Sequence, residues 1–414
     1  MRTAALVAYR AASDVVGKGA LFVITVVAAR RLSAEGSGIF AIGTTIGWIA
    51  VVASDFGLQM HLARSVAREP EAAGYHLRRW LRLRLALAFA ALLVVAASLT
   101  ALGASRIAPA ILLFTLGYLA AGMVEFIHHF YRGLSRTDLE STLTLWHRLG
   151  TLAAACIVLW RWPEPAALAA AMVVPPLATA VVTLRMASRM APTATIPVVP
   201  PVGPPSAEFL RDVVPIGAGV LLSALYFRLD VFLLEAWQGT ETVGLYNAVF
   251  RLIDALRLFP AALLAVMLPT LVRSATIRPL AQTATALTAF GIAVAVVLWL
   301  SAGRLVPMLY GPSFAAAVPA FRVLAAAFPL MSLNYALTQQ LVAWNDHRAF
   351  AALCLVALIV NVALNARFIP TMSLDGAAWA TLATEALMTA GCAGLLARAT
   401  SRRRPAAAAA IATT

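Results

Sequence analysis

The sequence predicts an all-α polytopic membrane protein with about 12 transmembrane helices in two lobes of six helices. Of its 414 residues, 62% are hydrophobic and only 12% are charged, which is too little charge for the surface of a soluble protein. Apolar runs of about twenty residues, such as residues 83–102, recur along the chain, and a helix of that length crosses a bilayer core. The period-two alternation of membrane β-strands is absent.

Twelve spans follow from these apolar runs, taken in order from the N-terminus. They lie at residues 8–31, 37–60, 83–103, 107–130, 144–162, 165–187, 209–236, 243–271, 280–303, 314–341, 349–368 and 375–397. The first run contains Asp14 and Lys18 and is followed by no small-residue cleavage site. We therefore interpret it as helix 1 and not as a signal peptide.

Basic residues indicate the orientation of these helices. The net charge is +14, and most of the excess lies in segments that are cytoplasmic if the N-terminus is inside. The segment 64–84 holds six arginines and is predicted to be a cytoplasmic loop. By the positive-inside rule both termini are cytoplasmic, and the partners of this charge are anionic membrane lipids and not nucleic acid.

A proline-rich, uncharged segment at residues 192–205 separates the two groups of six spans. Such a segment favours extended geometry and cannot continue a helix. The predicted organisation is an N-terminal lobe at residues 1–190, a cytoplasmic linker at 191–207, a C-terminal lobe at 208–398 and a cytoplasmic tail at 399–414.

Two short motifs recur at nearly the same offset. The sequence EGSGIF at residues 35–40 matches ETVGLY at 241–246, and Pro-Ala at 109–110 matches Pro-Ala at 319–320. Each copy opens the equivalent helix of its lobe, which favours an internal duplication. Because six spans per lobe give both lobes the same orientation, we expect a pseudo-two-fold axis along the membrane normal.

Helices 7 and 8 contain an unusual group of charges at membrane depth. Arg228 precedes the turn at Gly239 by eleven residues and Arg251 follows it by twelve, so the two guanidinium groups lie at nearly the same depth. Such charges face a bundle interior or a cavity, and arginine binds phosphate in a bidentate manner. Two interpretations stay open: a phosphate or diphosphate site, or an ion-pair network in which acidic neighbours already neutralise the arginines. The remaining members are Arg257, Asp230 and Asp254.

Other spans carry single charges that are candidates for a cavity. Lys18 and Arg322 are candidate cations, although Lys18 can pair with a neighbouring aspartate and Arg322 can extend toward the interface. Glu385, Asp55 and Glu125 are candidates for binding a coupling proton or sodium ion, or for balancing the arginines.

Several catalytic arrangements are absent from the sequence. There is no Walker A motif, and the predicted loops are too short to hold a glycosyltransferase or ligase site. Three histidines near the ends of helices 4 and 5 match no standard zinc spacing, so no metal or other cofactor is predicted. These absences favour a transporter over a membrane enzyme.

The first hairpin, at residues 30–68, resembles that of bacterial polysaccharide flippases of the multidrug, oligosaccharidyl-lipid and polysaccharide exporter superfamily. The resemblance rests on Glu35, Gly38, Phe40, the pair Gly57-Leu58 and the basic Arg64. Further similar segments are residues 225–273, with Gly-Leu-Tyr at 244–246 and Pro269, residues 310–328 and residues 369–385.

The resemblance implies a bacterial inner-membrane flippase that moves undecaprenyl-diphosphate-linked oligosaccharides by alternating access, driven by an ion gradient. The family's cationic cavities agree with Arg228, Arg251 and Lys18 as residues facing a diphosphate. An ion-coupled multidrug antiporter of the same superfamily is the main alternative. A non-transporting partner of the polysaccharide polymerase machinery is another, and that machinery is also a candidate partner of a flippase.

Overall fold

The computed structural model describes residues 2–190, 207–273, 277–344 and 347–412, and all regular elements in these ranges are helical. Most of the predicted linker, residues 191–206, lies outside the described ranges. The helices are α1 (Arg2–Arg31), α2 (Ala34–Asp55), α3 (Leu58–Arg68), α4 (Ala73–Ala101), α5 (Ala108–Gly133), α6 (Thr137–Arg161), α7 (Pro165–Met190), α8 (Ala207–Gln238), α9 (Thr240–Leu256), α10 (Leu258–Arg273), α11 (Arg278–Tyr310), α12 (Val318–Ala343) and α13 (His347–Ala412).

The predicted class, an all-α polytopic membrane protein, is confirmed. Within the described ranges, nine helices are long and apolar enough to cross a membrane. Each coincides with a predicted span, and α13 contains the last two predicted spans as one helix with a kink. The remaining predicted spans correspond to α1 and to the α9–α10 pair.

Large apolar side chains cover the outer surface of these helices. Phe89 on α4 is 62% exposed, Leu300 on α11 is 70% exposed and Ile359 on α13 is 60% exposed. A surface of this kind is unfavourable in water but matches the hydrocarbon core of a bilayer. The exposed faces are therefore the lipid-facing faces of the spans.

The predicted second span is broken where α2 meets α3. Phe56 and Gly57 both adopt left-handed backbone conformations, with φ of 41° and 87°, and this ends α2. The sequence predicts a basic loop for the following segment, and this prediction is wrong. The segment forms the amphipathic helix α3 and the first turns of α4. Helix α3 buries Leu58, Leu62 and Val66 against α4 and α5.

Two later helices are also interrupted. The predicted eighth span is divided between α9 and α10 at Arg257. The long α13 contains one non-helical residue, Ser373 with φ of 52°, between the two predicted spans that it joins. Such breaks leave backbone groups unpaired and re-aim the side chains on either side.

The chain divides into two compact units, Met1–Ala224 and Leu225–Thr414, here called unit 1 and unit 2. In unit 1, α5 packs against α2 and α7, and α1 packs against α6. Its core includes Ile24, Phe40, Phe114, Leu159 and Leu168. The predicted lobe boundaries and the symmetry axis stay predictions.

In unit 2, α12 is the central helix and contacts α9, α10, α11 and α13. The repeated motifs occupy matching positions in the two units. Glu35 and Glu241 are each the second residue of their helices, α2 and α9, and Pro109 and Pro319 are each the second residue of α5 and α12. Equal positions in equivalent helices support the predicted duplication.

Candidate functional site: a buried arginine cluster

Charged and polar residues from α8 and α9 meet inside unit 2. We call this group the α8–α9 cluster; its members are Arg228, Asp230, Tyr246, Asn247, Arg251, Asp254 and Arg257, which directly follows α9, together with the aromatic Phe250. The two helices form a hairpin because Gly239, with φ of 82°, ends α8 and caps α9. Glycine adopts this conformation without steric cost. The turn brings the charged faces of both helices together.

Arg228 is buried, with 2% of its surface exposed. Its Nη2 atom donates a 3.2 Å hydrogen bond to Oδ1 of Asn247, and its guanidinium lies 4.7 Å from the centroid of the Phe250 ring. Among the described residues, Nη1 has no hydrogen-bond partner and no carboxylate lies within ion-pair distance. Arg228 therefore holds a buried charge without direct neutralisation, which is costly unless a ligand supplies the anion.

Asp230 is equally buried but has other partners. Its Oδ2 atom accepts a 2.6 Å hydrogen bond from the Tyr246 hydroxyl, and its Oδ1 atom accepts one from the backbone amide of Val231. The Tyr246 hydroxyl also lies 3.2 Å from Oγ1 of Thr381 on α13. Asp230 therefore joins α8 to α9, and Tyr246 extends this link to α13. No ion pair between Asp230 and Arg228 is present among the described residues.

Asp254 lies between two arginines on the same helix face. Its carboxylate is 3.5 Å from Nη1 of Arg251 and 3.8 Å from Nη1 of Arg257. These are the two i, i+3 pairs that the spacing predicts. Arg228 contacts Asn247, which precedes Arg251 by one turn of α9, so the two arginines lie near each other. The charges of Asp230 and Asp254 also act on Arg228, although neither carboxylate is within ion-pair distance of it among the described residues. Because the guanidinium groups of Arg251 and Arg257 share one carboxylate, they keep donors that can bind a further anion.

Arg257 contacts aromatic rings as well as Asp254. Its guanidinium lies 4.5 Å from the centroid of Phe227 and 5.8 Å from that of Tyr335. Its charge also interacts with that of Glu385. Arg257 is therefore the most fully compensated arginine of the cluster and the weakest candidate for ligand contact.

Glu385 is buried in the second half of α13, next to α12. Its Oε2 atom accepts a 2.6 Å hydrogen bond from the Asn334 side chain, whose oxygen accepts a 2.8 Å bond from Thr389. Nearby, Asn361 donates to Thr384. A band of polar side chains thus lies inside the apolar core of unit 2. Buried polar groups of this kind are costly in a membrane and are a sign of function.

The other candidate cations lie outside the cluster. The Arg322 guanidinium stacks 5.1 Å from the centroid of Trp299 on α11, and no described contact joins it to Arg228 or Arg251. The backbone of Lys18 belongs to α1, but its side chain lies outside the described part of the structure. The structure therefore brings together Arg228, Arg251 and Arg257, and it does not bring Arg322 to them.

Asp55 has a partner that sequence reasoning misses. Its Oδ1 atom lies 3.9 Å from Nε of Arg84, which is 1% exposed and also donates from Nη1 to Ser54. The sequence prediction places Arg84 in a basic loop, whereas it is a buried residue of α4. Its position directly before the apolar run of α4 is the feature of the sequence from which the burial of Arg84 could be predicted. Asp55 therefore balances charge within unit 1.

Glu125 belongs to a second network in unit 1. Arg132 lies between two carboxylates: its Nη2 donates to Glu125 at 3.1 Å, and it donates to Glu140 from both Nε and Nη2. His129 accepts from Nη1 of Arg132 at 2.9 Å, and its Nδ1 lies 3.0 Å from the backbone oxygen of Glu125. The acceptor role of Nε2 fixes a neutral tautomer with the proton on Nδ1.

Within the described ranges, no group of three or more His, Cys, Asp or Glu side chains is arranged to hold a metal ion. The buried histidines of α5 and α6, His128, His129 and His147, instead pack within the helix interface.

Comparisons with known proteins identify the family. Residues 5–275 match the model of the polysaccharide biosynthesis protein family. Among curated proteins, none matches this chain significantly.

Solved structures with the same fold are membrane transporters. An inward-facing multidrug resistance MATE family transporter of the MOP superfamily is similar at a TM-score of 0.74 and 14% identity, over 93% of this chain and 95% of that one. MATE in complex with MaD3S gives a TM-score of 0.71 at 14% identity over 97% and 96% of the two chains. The MATE multidrug transporter DinF-BH gives 0.71 at 14% identity over 95% of each.

The family match covers well over half of the chain, and the structural likeness at 14% identity establishes the fold. The chain belongs to the polysaccharide biosynthesis protein family and has the fold of the MATE transporters of the MOP superfamily, as its resemblance to the polysaccharide flippases predicted.

Proposed function

We propose that this protein flips undecaprenyl-diphosphate-linked oligosaccharide units from the cytoplasmic to the outer leaflet, by alternating access, during surface polysaccharide biosynthesis. In this proposal it resides in the bacterial inner membrane with both termini in the cytoplasm. The observation that carries the proposal is Arg228, a buried cation without a carboxylate partner among the described residues, beside a second arginine. A diphosphate supplies the missing negative charge and accepts hydrogen bonds from both guanidinium groups.

The roles of the other charged residues follow from their contacts. Arg251 shares Asp254 with Arg257, so it can turn toward a diphosphate without leaving Asp254 unpaired. Asp230 and Glu385 are buried carboxylates held by hydroxyl and amide donors, and they are the candidates for binding the coupling ion. Lys18 and Arg322 stay secondary candidates for contact with the substrate.

A multidrug antiporter is the second candidate function. The structures of similar fold are described as multidrug transporters, and the same two buried carboxylates could attract a cationic compound. Arg228 and Arg251 oppose this function because they repel a cation at the same site.

Replacement of the two arginines tests the flippase proposal. In a strain that depends on this chain for surface polysaccharide, Arg228→Gln and Arg251→Gln should abolish export and cause lipid-linked oligosaccharide to accumulate on the cytoplasmic side. Arg304→Gln is the matched control, because Arg304 is an exposed arginine of α11 outside the cluster. Protein levels are measured by immunoblot in each strain.

Two results would contradict the proposal. Full export by the doubly substituted protein would exclude the arginines as the diphosphate site. Transport of tetraphenylphosphonium by purified protein in liposomes, without movement of lipid-linked oligosaccharide, would favour the antiporter instead.

A further inference from the structure

Unit 1 contains a cavity of about 300 Å³ between α1, α2, α5, α6 and α7. We call it the unit-1 cavity. It lies at the lower end of the range of about 300–1,000 Å³ that is typical of small-molecule sites. Small residues on two helices line it, among them Gly17 on α1 and Gly117 and Ala121 on α5. None of its lining residues belongs to the α8–α9 cluster.

One part of the cavity wall is aromatic and apolar. Trp48 of α2 and Tyr118 and Phe114 of α5 line it, together with aliphatic side chains of α1. Tryptophan and tyrosine offer a flat apolar face together with a polar edge. Such a wall suits the apolar face of a ring that carries hydroxyl groups around its edge.

Another part of the wall is polar. Glu125, Arg148 and Thr151 line it, and the Glu125 side chain is 46% exposed. Arg132 occupies only Oε1 of Glu125, and no described residue donates to its Oε2. A carboxylate oxygen, a guanidinium and a hydroxyl therefore provide both acceptors and donors at one cavity.

The balance of charge restricts the class of ligand. The formal charges of the two lining ions, Glu125 and Arg148, cancel, and so do those of Arg132 and Glu140, which form an ion pair behind Glu125. A cationic compound gains little in such a cavity, and an alkyl chain leaves its polar groups without partners. A neutral, polyhydroxylated ring satisfies both the aromatic wall and the polar wall.

We propose that the unit-1 cavity is a binding subsite for a neutral sugar ring of the transported oligosaccharide. This inference rests on the proposed function. It adds that residues of unit 1 recognise the sugar, so that the protein binds the sugar-bearing lipid in preference to the lipid diphosphate without sugar. Glu125 accepts hydrogen bonds from sugar hydroxyl groups, and so does the Thr151 oxygen, whose own proton is donated to the backbone oxygen of His147. Arg148 donates to ring substituents, and Trp48 and Tyr118 contact the apolar face.

The test compares two probes on the full-length protein in detergent. One is the lipid-linked oligosaccharide extracted from the native host, and the other is undecaprenyl diphosphate without sugar. Wild-type protein should bind the first more tightly. Glu125→Gln should remove about tenfold of this preference, the value of a lost hydrogen bond to a charged group. Trp48→Ala removes the aromatic contact and Ala121→Leu fills the space, so both should also reduce the preference. All three variants should leave the affinity for undecaprenyl diphosphate unchanged.

Controls separate a sugar subsite from a general structural effect. Trp146→Ala replaces an α6 tryptophan that is 72% exposed and does not line the cavity, and it should keep the wild-type preference. Thermal unfolding of each variant shows whether it folds, and Glu125→Gln is the conservative variant if the larger changes destabilise the protein.

Each other outcome overturns a defined part of the proposal. If the folded cavity variants keep the full preference for the sugar-bearing lipid, or lose affinity for both probes equally, the unit-1 cavity does not bind the sugar. The proposed flippase function is not affected by that result. If wild-type protein binds neither probe, the proposed function itself fails, and the subsite fails with it.

Discussion

Tyr246 donates a 2.6 Å hydrogen bond to Oδ2 of Asp230, and this bond determines how the charges of α8 are compensated. Asp230 lies two residues from Arg228, and both are buried. Because successive helix positions point in different directions, Asp230 meets Tyr246, whose hydroxyl also contacts Thr381, while Arg228 meets Asn247 and Phe250. The carboxylate closest in sequence is thus held by a tyrosine, and the arginine lacks an ion-pair partner among the described residues.

Substitution of Arg228 and substitution of Tyr246 should therefore have different effects on stability. Arg228→Met removes a buried cation that has no ion-pair partner among the described residues, so we expect the protein to unfold at a temperature no lower than wild type while flipping is lost. Tyr246→Phe removes the donor to Asp230 and should cost about 1–3 kcal/mol. Thermal unfolding in detergent and export in cells measure the two effects.

Strong destabilisation by Arg228→Met would contradict this prediction. It would show that the guanidinium is a structural element of the α8–α9 hairpin and not a ligand-binding group. Asn247→Ala serves as the control for loss of the hydrogen bond that Arg228 makes to this side chain.

The helix content and most span boundaries could be predicted from the sequence because apolar length alone determines membrane spans. The break at Phe56 and Gly57 could not, because a left-handed pair inside an apolar run depends on the packing of α3 against α4 and α5. The proximity of Arg228 and Arg251 followed from counting residues on either side of Gly239. The partner of Asp230 could not be predicted, because Tyr246 lies among apolar residues of the next helix and its hydroxyl reaches Asp230 only through the packing of the two helices.

The unit-1 networks were only partly predictable for a similar reason. The sequence marks Asp55 and Glu125 as membrane carboxylates, but their partners depend on tertiary contacts. Arg84 ends a run of arginines and so resembles a loop residue, and only the packing of α4 against α2 and α5 shows that it is buried.

The buried pair of Asp55 and Arg84 gives a second prediction. Asp55→Asn removes the only described carboxylate within ion-pair distance of Arg84, which is 1% exposed, so we expect a loss of about 3–5 kcal/mol in the free energy of unfolding. The double variant Asp55→Leu, Arg84→Met should recover most of this loss, because no buried charge is left unpaired. Thermal unfolding of the single and double variants measures the coupling, and equal losses in both would contradict it.

Two glycines of α11 provide the third prediction, with one serving as control for the other. A Cβ atom on Gly291 would lie 2.7 Å from Cα of Pro329 on α12, whereas one on Gly303 would meet no atom within 4 Å. Gly291→Ala should therefore separate α11 from α12 and cost about 1–3 kcal/mol. Gly303→Ala should add up to about 1 kcal/mol of stability, because alanine favours a helix. Thermal unfolding in detergent compares the two, and equal shifts in the same direction would show that helix propensity, and not the close contact of α11 with Pro329, determines stability at these positions.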